Sequence, residues 1–405
     1  MTIQRRAILL FIFCVCHYQT AIAFQREEGI EKDSLTTQVE YTSRGFQFTD
    51  AKEKFQLQIG GRLQFRFATP GDQDPITFDD FAEERENVFK INRARLKVGG
   101  YTFKPWLKYY FEYELGASRL LDFRVMVEKW PWLSFKLGQW KTEYTRERVI
   151  SSGRQQMMER SILNRPFTLD RQQGISVYGH IKQSKLADFN YHLSILTGTG
   201  INARENDDEN LLYTARLQWN FLGEAVPMTG SDLEHREKPI ASVAMAGATN
   251  TSQYTRFSSA GGGSLVGFED GIPGQYTNDQ WLLETALMYR SFSWHSEFHI
   301  KNVRDHVNTY TQRLRGSFWQ AGYVLNHQAG EGRPLFEVAA RYAIFRPDLQ
   351  LPKNEEEEIS VALNCFFNEH LNKLTADLTF FEFEERSLNL EAQGWRFRVQ
   401  YEVSF

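Results

Sequence analysis

The sequence predicts an all-β protein: a transmembrane antiparallel β-barrel of about 16 strands with one long inward-folded loop. Three observations lead to this fold class. Polar and apolar residues alternate with a period of two along most of the chain, an export signal precedes them, and the C-terminal segment ends on an aromatic residue. Aromatic residues make up 14% of the chain, yet mean hydropathy is only −0.48. That combination is typical of strands with one face toward lipid and one toward water.

Residues 1–23 have the organisation of a cleaved signal peptide. Arg5 and Arg6 precede an apolar core at 7–16, and the small residues Ala21 and Ala23 have the spacing that suits a signal peptidase. The core is too short to span a membrane as a helix, which takes roughly 20 residues. We expect cleavage before Phe24. The mature chain then keeps one cysteine, Cys365, and can form no intramolecular disulfide framework.

Residues 24–54 are polar, and we interpret them as a loosely ordered periplasmic lead-in to a barrel domain at 55–405. Alternation marks about sixteen segments in that domain. They begin near residues 55, 90, 106, 121, 133, 174, 188, 210, 239, 279, 292, 314, 335, 358, 373 and 394. An even strand number places both ends of the chain on the periplasmic side. Fourteen or eighteen strands remain alternatives.

The links between segments alternate in length, as in outer-membrane barrels, whose extracellular loops are long and periplasmic turns short. The long links are 68–89, 142–173, 199–209 and 248–278, whereas 103–105 and 185–187 are short. The link 222–238 is longer than this pattern predicts. A soluble sandwich of alternating strands is the competing fold. The aromatic C-terminal residue Phe405 favours the membrane barrel, because bacterial barrel-insertion machinery reads such an ending.

If the apolar faces meet lipid, their polar partners line the lumen, and rings of basic residues there select anions. We therefore take the following as candidate pore-lining, anion-binding residues: Arg62, Arg66, Arg93, Arg95, Lys136, Lys141, Arg146, Arg148, Arg154, Arg160, Arg396 and Arg398. Carboxylates share the same faces, at Glu112, Glu114, Asp122, Glu128, Glu284, Glu297, Glu337 and Asp377. The alternative for any one arginine is a structural ion pair with such a neighbour.

Segment 141–173 holds seven basic and four acidic residues in a chain of net charge −4. A loop of this length in a compact fold is usually functional. Folding into the lumen would explain both its length and its charge. An extracellular loop that binds lipopolysaccharide phosphates is the alternative. Residues 154–163 also have helical character.

The motifs Gly138-Gln139-Trp140-Lys141, Met158-Glu159-Arg160-Ser161 and Gly60-Gly61-Arg62-Leu63-Gln64 resemble those of the phosphate-selective porin family (outer-membrane porin O/P type). Arg93-Ala94-Arg95-Leu96 resembles that family too. The resemblance implies a sixteen-stranded, usually trimeric porin that conducts phosphate past basic residues. The chain departs from the pattern in two places. Glu143 stands where the family often has proline, and the loop's basic residues after Lys141 are all arginine.

Other constellations are weaker. His295, Glu297 and His299 alternate on one lumen face and could hold a metal. The acidic run 355–358 reads as an exposed loop. No serine–histidine pair suits a barrel lipase. We expect no enzyme, no metal and no cofactor.

The sequence thus predicts a bacterial outer-membrane protein for passive diffusion of small anions, phosphate or related inorganic ions. Its expected partners are those anions, outer-membrane lipid and lipopolysaccharide, the insertion machinery through Phe405 and two further copies in a homotrimer, with no nucleic acid. A general or sugar-type diffusion porin is the first alternative. A barrel that only anchors an enzyme or adhesin is the second.

Overall fold

The computed structural model describes residues 37–82, 86–201, 203–327 and 332–405, and its core is a closed antiparallel barrel of sixteen strands. The barrel strands are β3 (Phe55–Thr69), β4 (Val88–Thr102), β5 (Lys104–Glu114), β6 (Arg119–Trp130), β7 (Leu133–Lys141), β8 (Arg171–Lys182), β9 (Asp188–Leu196), β10 (Leu212–Trp219), β11 (Ile240–Ser252), β14 (Tyr276–Tyr289), β15 (Phe292–Asp305), β16 (Tyr310–Val324), β17 (Leu335–Arg346), β18 (Asn354–Asn368), β19 (Asn372–Glu385) and β20 (Leu390–Ser404). Each begins within four residues of its predicted start. The predicted fold class is confirmed.

The first and last barrel strands pair and close the sheet, with Arg62 opposite Ser404 and Arg66 opposite Gln400. Where β20 ends, a hairpin of β1 (Gln38–Thr42) and β2 (Gly45–Thr49) takes over the free edge of β3. The expectation of loose order is therefore wrong for 38–49, because an unpaired strand edge recruits any neighbouring extended segment. The predicted signal peptide lies outside the described residues.

Side chains are distributed as in a membrane barrel. Outward apolar residues are exposed, for example Trp281 at 63% and Met245 at 61%, whereas the inward Glu402 is fully buried. A soluble sandwich would bury its apolar faces instead. No helix in the described part of the chain is both long and apolar enough to cross a bilayer.

Three long links matter for the lumen. Loop L3 (142–170) joins β7 to β8 and contains one-turn helices at Arg146–Val149 and Asn164–Phe167. The loop at 253–275 carries a small hairpin, β12 (Arg256–Ser258) with β13 (Gly261–Gly263). Turn T4 (220–239) joins β10 to β11 at the periplasmic end.

Two local predictions fail. Residues 155–163 form no helix, because backbone N–H groups such as those of Met158 and Ile162 donate to carboxylates of the barrel wall rather than to carbonyls one turn back. The acidic run 355–358 belongs to β18, not to a loop. Glu358 of that run points inward and pairs with Arg341 at 2.6 Å.

Candidate functional site

Loop L3 crosses the lumen and is held by carboxylates of the opposite wall. Four inward carboxylates, one each from β14, β15, β18 and β19, accept hydrogen bonds from its backbone. The pairs are Arg146 N with Glu284 (3.1 Å), Glu147 N with Glu297 (2.8 Å), Ile162 N with Glu358 (2.9 Å) and Met158 N with Asp377 (2.9 Å). Such charge-assisted bonds are about twice as strong as neutral ones. The predicted inward fold of this segment is confirmed.

Side chains of L3 complete the attachment. The amide nitrogen of Gln156 donates to Glu337 (2.7 Å), and its oxygen accepts from Gln320 (2.7 Å). Leu163 and Phe167 are buried in an apolar cluster with wall residues such as Phe318. L3 thus fills the side of the lumen nearest β14–β19. The acidic half of the wall serves as its anchor.

Two cavities lie beside the β3–β8 wall. The upper cavity, about 330 Å³, lies at the extracellular end and reaches the loop residue Ser259. The lower cavity, about 1040 Å³, opens at the periplasmic end beside Phe405. Three residues line both cavities and therefore mark their junction: Arg95, Lys141 and Arg171.

The upper cavity is strongly basic. Seven arginines and lysines line it, against one carboxylate, that of Glu114. The seven are Arg93, Arg95, Arg119, Lys141, Arg148, Arg160 and Arg171. The lower cavity is closer to balance, with ten basic and seven acidic side chains. Arg95, Arg148 and Arg171 pair with Glu114, Asp170 and Asp122, so the excess of positive charge at the extracellular side and at the junction comes from the other basic residues.

Two of these cations are held by carbonyl groups. Lys141 Nζ donates to the carbonyl of Arg148 at 3.1 Å, and Arg160 donates to the carbonyls of Glu147 and Ile150, each at 3.0 Å. Neither forms an ion pair with a carboxylate of the described residues. Burial and the nearby charges of Arg148 and Arg93 lower the pKa of Arg160, as expected in an excess of positive charge.

Two other L3 carboxylates, those of Glu159 and Glu143, are compensated by neighbouring cations. Burial raises the pKa of Glu159, but the guanidinium groups of Arg66 and Arg93 outweigh it and lower that pKa overall. The pKa of Glu143 is lowered in the same way, to about 2, because the positive charge of Lys136 outweighs the effect of burial. Glu143 also accepts from Trp140 Nε1 at 2.9 Å, which gives this departure from the family pattern a structural role.

The predicted pore-lining residues divide into two groups. Seven line a cavity: Arg93, Arg148 and Arg160 the upper one, Arg62 and Arg154 the lower one, and Arg95 and Lys141 both. The structure places these seven in the two cavities beside β3–β8.

Five predicted residues line neither cavity. Arg66 pairs with Asp72 and Glu159, Arg398 with Asp74, and Lys136 with Glu143. Arg146 donates to backbone carbonyls of turn T4, and Arg396 to the carbonyl of Gln73. These five side chains hold loops in place instead of facing a cavity.

Arg171, Arg119 and Lys97 line a cavity but are not among the twelve predicted pore-lining residues. Arg171 lines the junction and pairs with Asp122 at 2.6 Å, although its place in the basic segment 141–173 was a usable signal. Lys97 shares the inward face of Arg93 and Arg95 and lines the lower cavity. Arg119 stands at the first residue of β6, where alternation carries little information.

The histidine–carboxylate group whose spacing could hold a metal is an anchor in this structure. His295 and His299 each lie 3.0 Å from an oxygen of Glu297, and Glu284 comes close enough to share a cation with His295 and Glu297. Arg216 occupies one oxygen of Glu284 at 2.8 Å, however, and an L3 backbone N–H the other. A metal ion would have to displace a guanidinium and the loop.

Comparison with known proteins gives a consistent result. The family model described as phosphate-selective porin O and P matches residues 58–380, which is most of the chain. No curated protein matches the sequence.

Solved outer-membrane barrels share the fold at low identity. An OmpT loop-deletion mutant of Vibrio cholerae has 12% identity and a TM-score of 0.57, covering 87% of this chain and 100% of its own. The anion-selective porin from Comamonas acidovorans has 12% identity and a TM-score of 0.55, with 86% and 99% covered. The trimer form of Vibrio cholerae OmpT has 10% identity and a TM-score of 0.50, again with 86% and 99% covered.

Proposed function

Because the chain belongs to the phosphate-selective porin O and P family, and is thus a channel of the bacterial outer membrane, we propose that it lets small inorganic anions, phosphate among them, diffuse passively into the periplasm. The single observation that carries this proposal is the lining of the upper cavity, with seven basic residues and one carboxylate. Rings of such residues favour anions in pores.

The path begins in the upper cavity, where Arg148 and Arg160 of L3 face Arg93 and Arg95 of β4. Guanidinium groups present planar forks of N–H donors that match phosphate oxygens and stay charged at any physiological pH. An oxyanion can exchange part of its hydration shell for these donors. Arginine and lysine groups spaced along the path lower the barrier between successive positions without trapping the ion.

At the junction the ion passes Lys141. No carboxylate of the described residues lies within salt-bridge distance of this side-chain nitrogen, so no paired anion cancels its field on the solute. Beyond it, the lower cavity is wider and more nearly neutral, so that the anion is held less strongly and leaves. The predicted pore-lining residues that face the two cavities would set selectivity. Passive flow needs neither catalysis nor a cofactor.

The proposal includes the surroundings of the barrel. We expect a homotrimer, and one solved structure of Vibrio cholerae OmpT is a trimer form of that protein. We also expect lipopolysaccharide contacts at the extracellular rim. Phe405 would be the residue read by the insertion machinery. It is exposed, and its backbone pairs with Gly61 at the barrel seam.

Competition in planar bilayers tests the substrate class. Chloride current through the purified protein is recorded while phosphate or a neutral sugar is added. We expect phosphate to reduce the current and sugars of equal concentration to have little effect. A current reduced by sugars and not by phosphate would favour the sugar-type porin. A protein without conductance in bilayers, and without solute uptake in swelling liposomes, would favour a barrel that serves only as an anchor.

A further inference from the structure

Turn T4 is unusual for its side of the barrel. Periplasmic turns of outer-membrane barrels are short, and in this chain Phe103 alone joins β4 to β5. T4 has twenty residues, 220–239, between Trp219 and Ile240. No feature of the alternation explains such an insertion. The contacts that T4 makes in the structure do explain the insertion.

T4 meets L3 inside the lumen. The N–H of Gly230 donates to the carbonyl of Arg154 at 2.8 Å. The guanidinium of Arg146, from the first L3 helix, donates to the carbonyls of Val226 (3.3 Å) and Pro227. A Cβ added to Gly230 would lie 2.9 Å from a side-chain carbon of Gln156, so only glycine allows this approach without a shift. L3 enters from one end of the barrel and T4 from the other.

T4 is also fastened to the wall. Ser231 donates to Glu337 at 2.9 Å, the same carboxylate that holds Gln156 of L3. Thr229 lies 2.9 Å from a ring nitrogen of His370, in the turn after β18. Val226 is buried against Ile240 and Met288. These contacts reach β11, β14, β17 and the far side of the barrel, so T4 spans the lumen below L3.

We propose that turn T4 is a second lumen insert that closes the periplasmic side beneath L3 and sets the size limit of the channel. Pro227, Met228 and Leu233 of T4 form one side of the lower cavity, and Tyr101 and Arg124 of the wall are among the residues that form the other. A solute that passes the junction leaves through this space. The size limit is independent of which ion the upper cavity favours.

T4 also supports the loop above it. The acidic wall attaches one side of L3, and T4 contacts it from below at Arg146 and Arg154. Removing T4 would widen the lower cavity and leave the basic lining of the upper cavity in place. Conductance and size limit should therefore change, whereas the sign of ion selectivity should not. This difference separates the inference from the proposed anion preference.

Two variants test it. One replaces residues 226–231 by a short Gly-Ser linker, and the other is Arg146→Met, which removes the two carbonyl contacts and keeps the chain length. Glu237→Gln, at an exposed position of the same turn, is the matched control. Folded barrels are confirmed by their heat-dependent mobility in detergent gels. Single-channel conductance, swelling of liposomes in neutral sugars of increasing size, and reversal potentials are then measured.

We expect conductance to rise roughly twofold in the linker variant and by a smaller factor in Arg146→Met, because the exit constriction widens. Larger sugars should enter, and the reversal potential should keep its sign. Unchanged conductance and size limit in both folded variants would overturn the inference. So would a changed reversal potential with an unchanged size limit, since T4 would then act through charge.

Discussion

Lys141 offers the sharpest test of the charge arrangement, because it lines the junction of the two cavities and is held by a carbonyl rather than a carboxylate. Lys141→Gln removes one positive charge at similar side-chain length. Lys129→Gln is the matched control. It removes the same charge from the exposed outer face, where Lys129 lies over the Trp130 ring.

The expected magnitude follows from Coulomb's law. Two unit charges about 4 Å apart interact by about 1 kcal/mol in water and about 4 kcal/mol at an effective dielectric constant near 20. A hydrated junction lies toward the watery end of that range, so losing Lys141 should cost an anion about 1–2 kcal/mol. That corresponds to a five- to thirtyfold lower anion occupancy. Six basic groups remain around the upper cavity, so selectivity should weaken without inverting.

Reversal potentials in planar bilayers under a KCl gradient give the ratio of anion to cation permeability. Near 0.1 M salt the screening length is about 10 Å, and at 1 M about 3 Å, so the effect of Lys141→Gln should shrink as salt rises. Lys129→Gln should match the unaltered protein throughout. A Lys141→Gln ratio within about twofold of the unaltered protein at low salt would refute the assignment of the junction.

Three further outcomes are expected. Glu358→Gln breaks the pair with Arg341 and weakens an anchor of L3. The free energy of unfolding in detergent should therefore fall by about 1–3 kcal/mol, and single-channel current recordings should become noisier. An unaltered stability would contradict the anchoring role. Burial raises the pKa of Asp74 to about 6 despite its partner Arg398, so the carboxylate is neutralised as pH falls through 6. Anion selectivity should therefore rise between pH 7 and pH 5 in bilayers, and Asp74→Asn should remove that rise; a pH response retained by Asp74→Asn would assign it to another group. Phe405→Ala should reduce the amount of folded barrel in outer-membrane fractions on heat-modifiability gels, and normal assembly would show that the terminal aromatic residue is dispensable.

The barrel was predictable from the sequence because lipid on the outside and water in the lumen impose a period of two on every strand. Inward polar and outward apolar residues of β20 follow the predicted phase to the end of the chain. The loop L3 was predictable in outline, from length and charge. Its detailed path was not, since its backbone hydrogen bonds go to wall carboxylates more than a hundred residues away in sequence, as from Arg146 to Glu284.

The sequence could not show which basic residues line a cavity and which are paired with carboxylates of a loop. Alternation predicts that Arg62, Arg66 and Arg398 face inward, but not which of them a loop will neutralise. Asp72 and Asp74 come from the loop after β3 and pair with Arg66 and Arg398. The same holds for the many lumen carboxylates, because alternation does not show which of them face a cavity. Glu284, Glu297 and Asp377 lie on the far wall and hold L3. The carboxylates that hold L3 thus line neither cavity, an arrangement set by tertiary contacts.

An excess of positive charge along the remaining path is the property on which the proposed function depends. The most direct measurement is the reversal potential of the unaltered protein in a planar bilayer with a KCl gradient at neutral pH. We predict the sign that corresponds to chloride permeating more readily than potassium, strongest at low salt. A reversal potential of the opposite sign, with a clearly open channel, would contradict anion passage along this path.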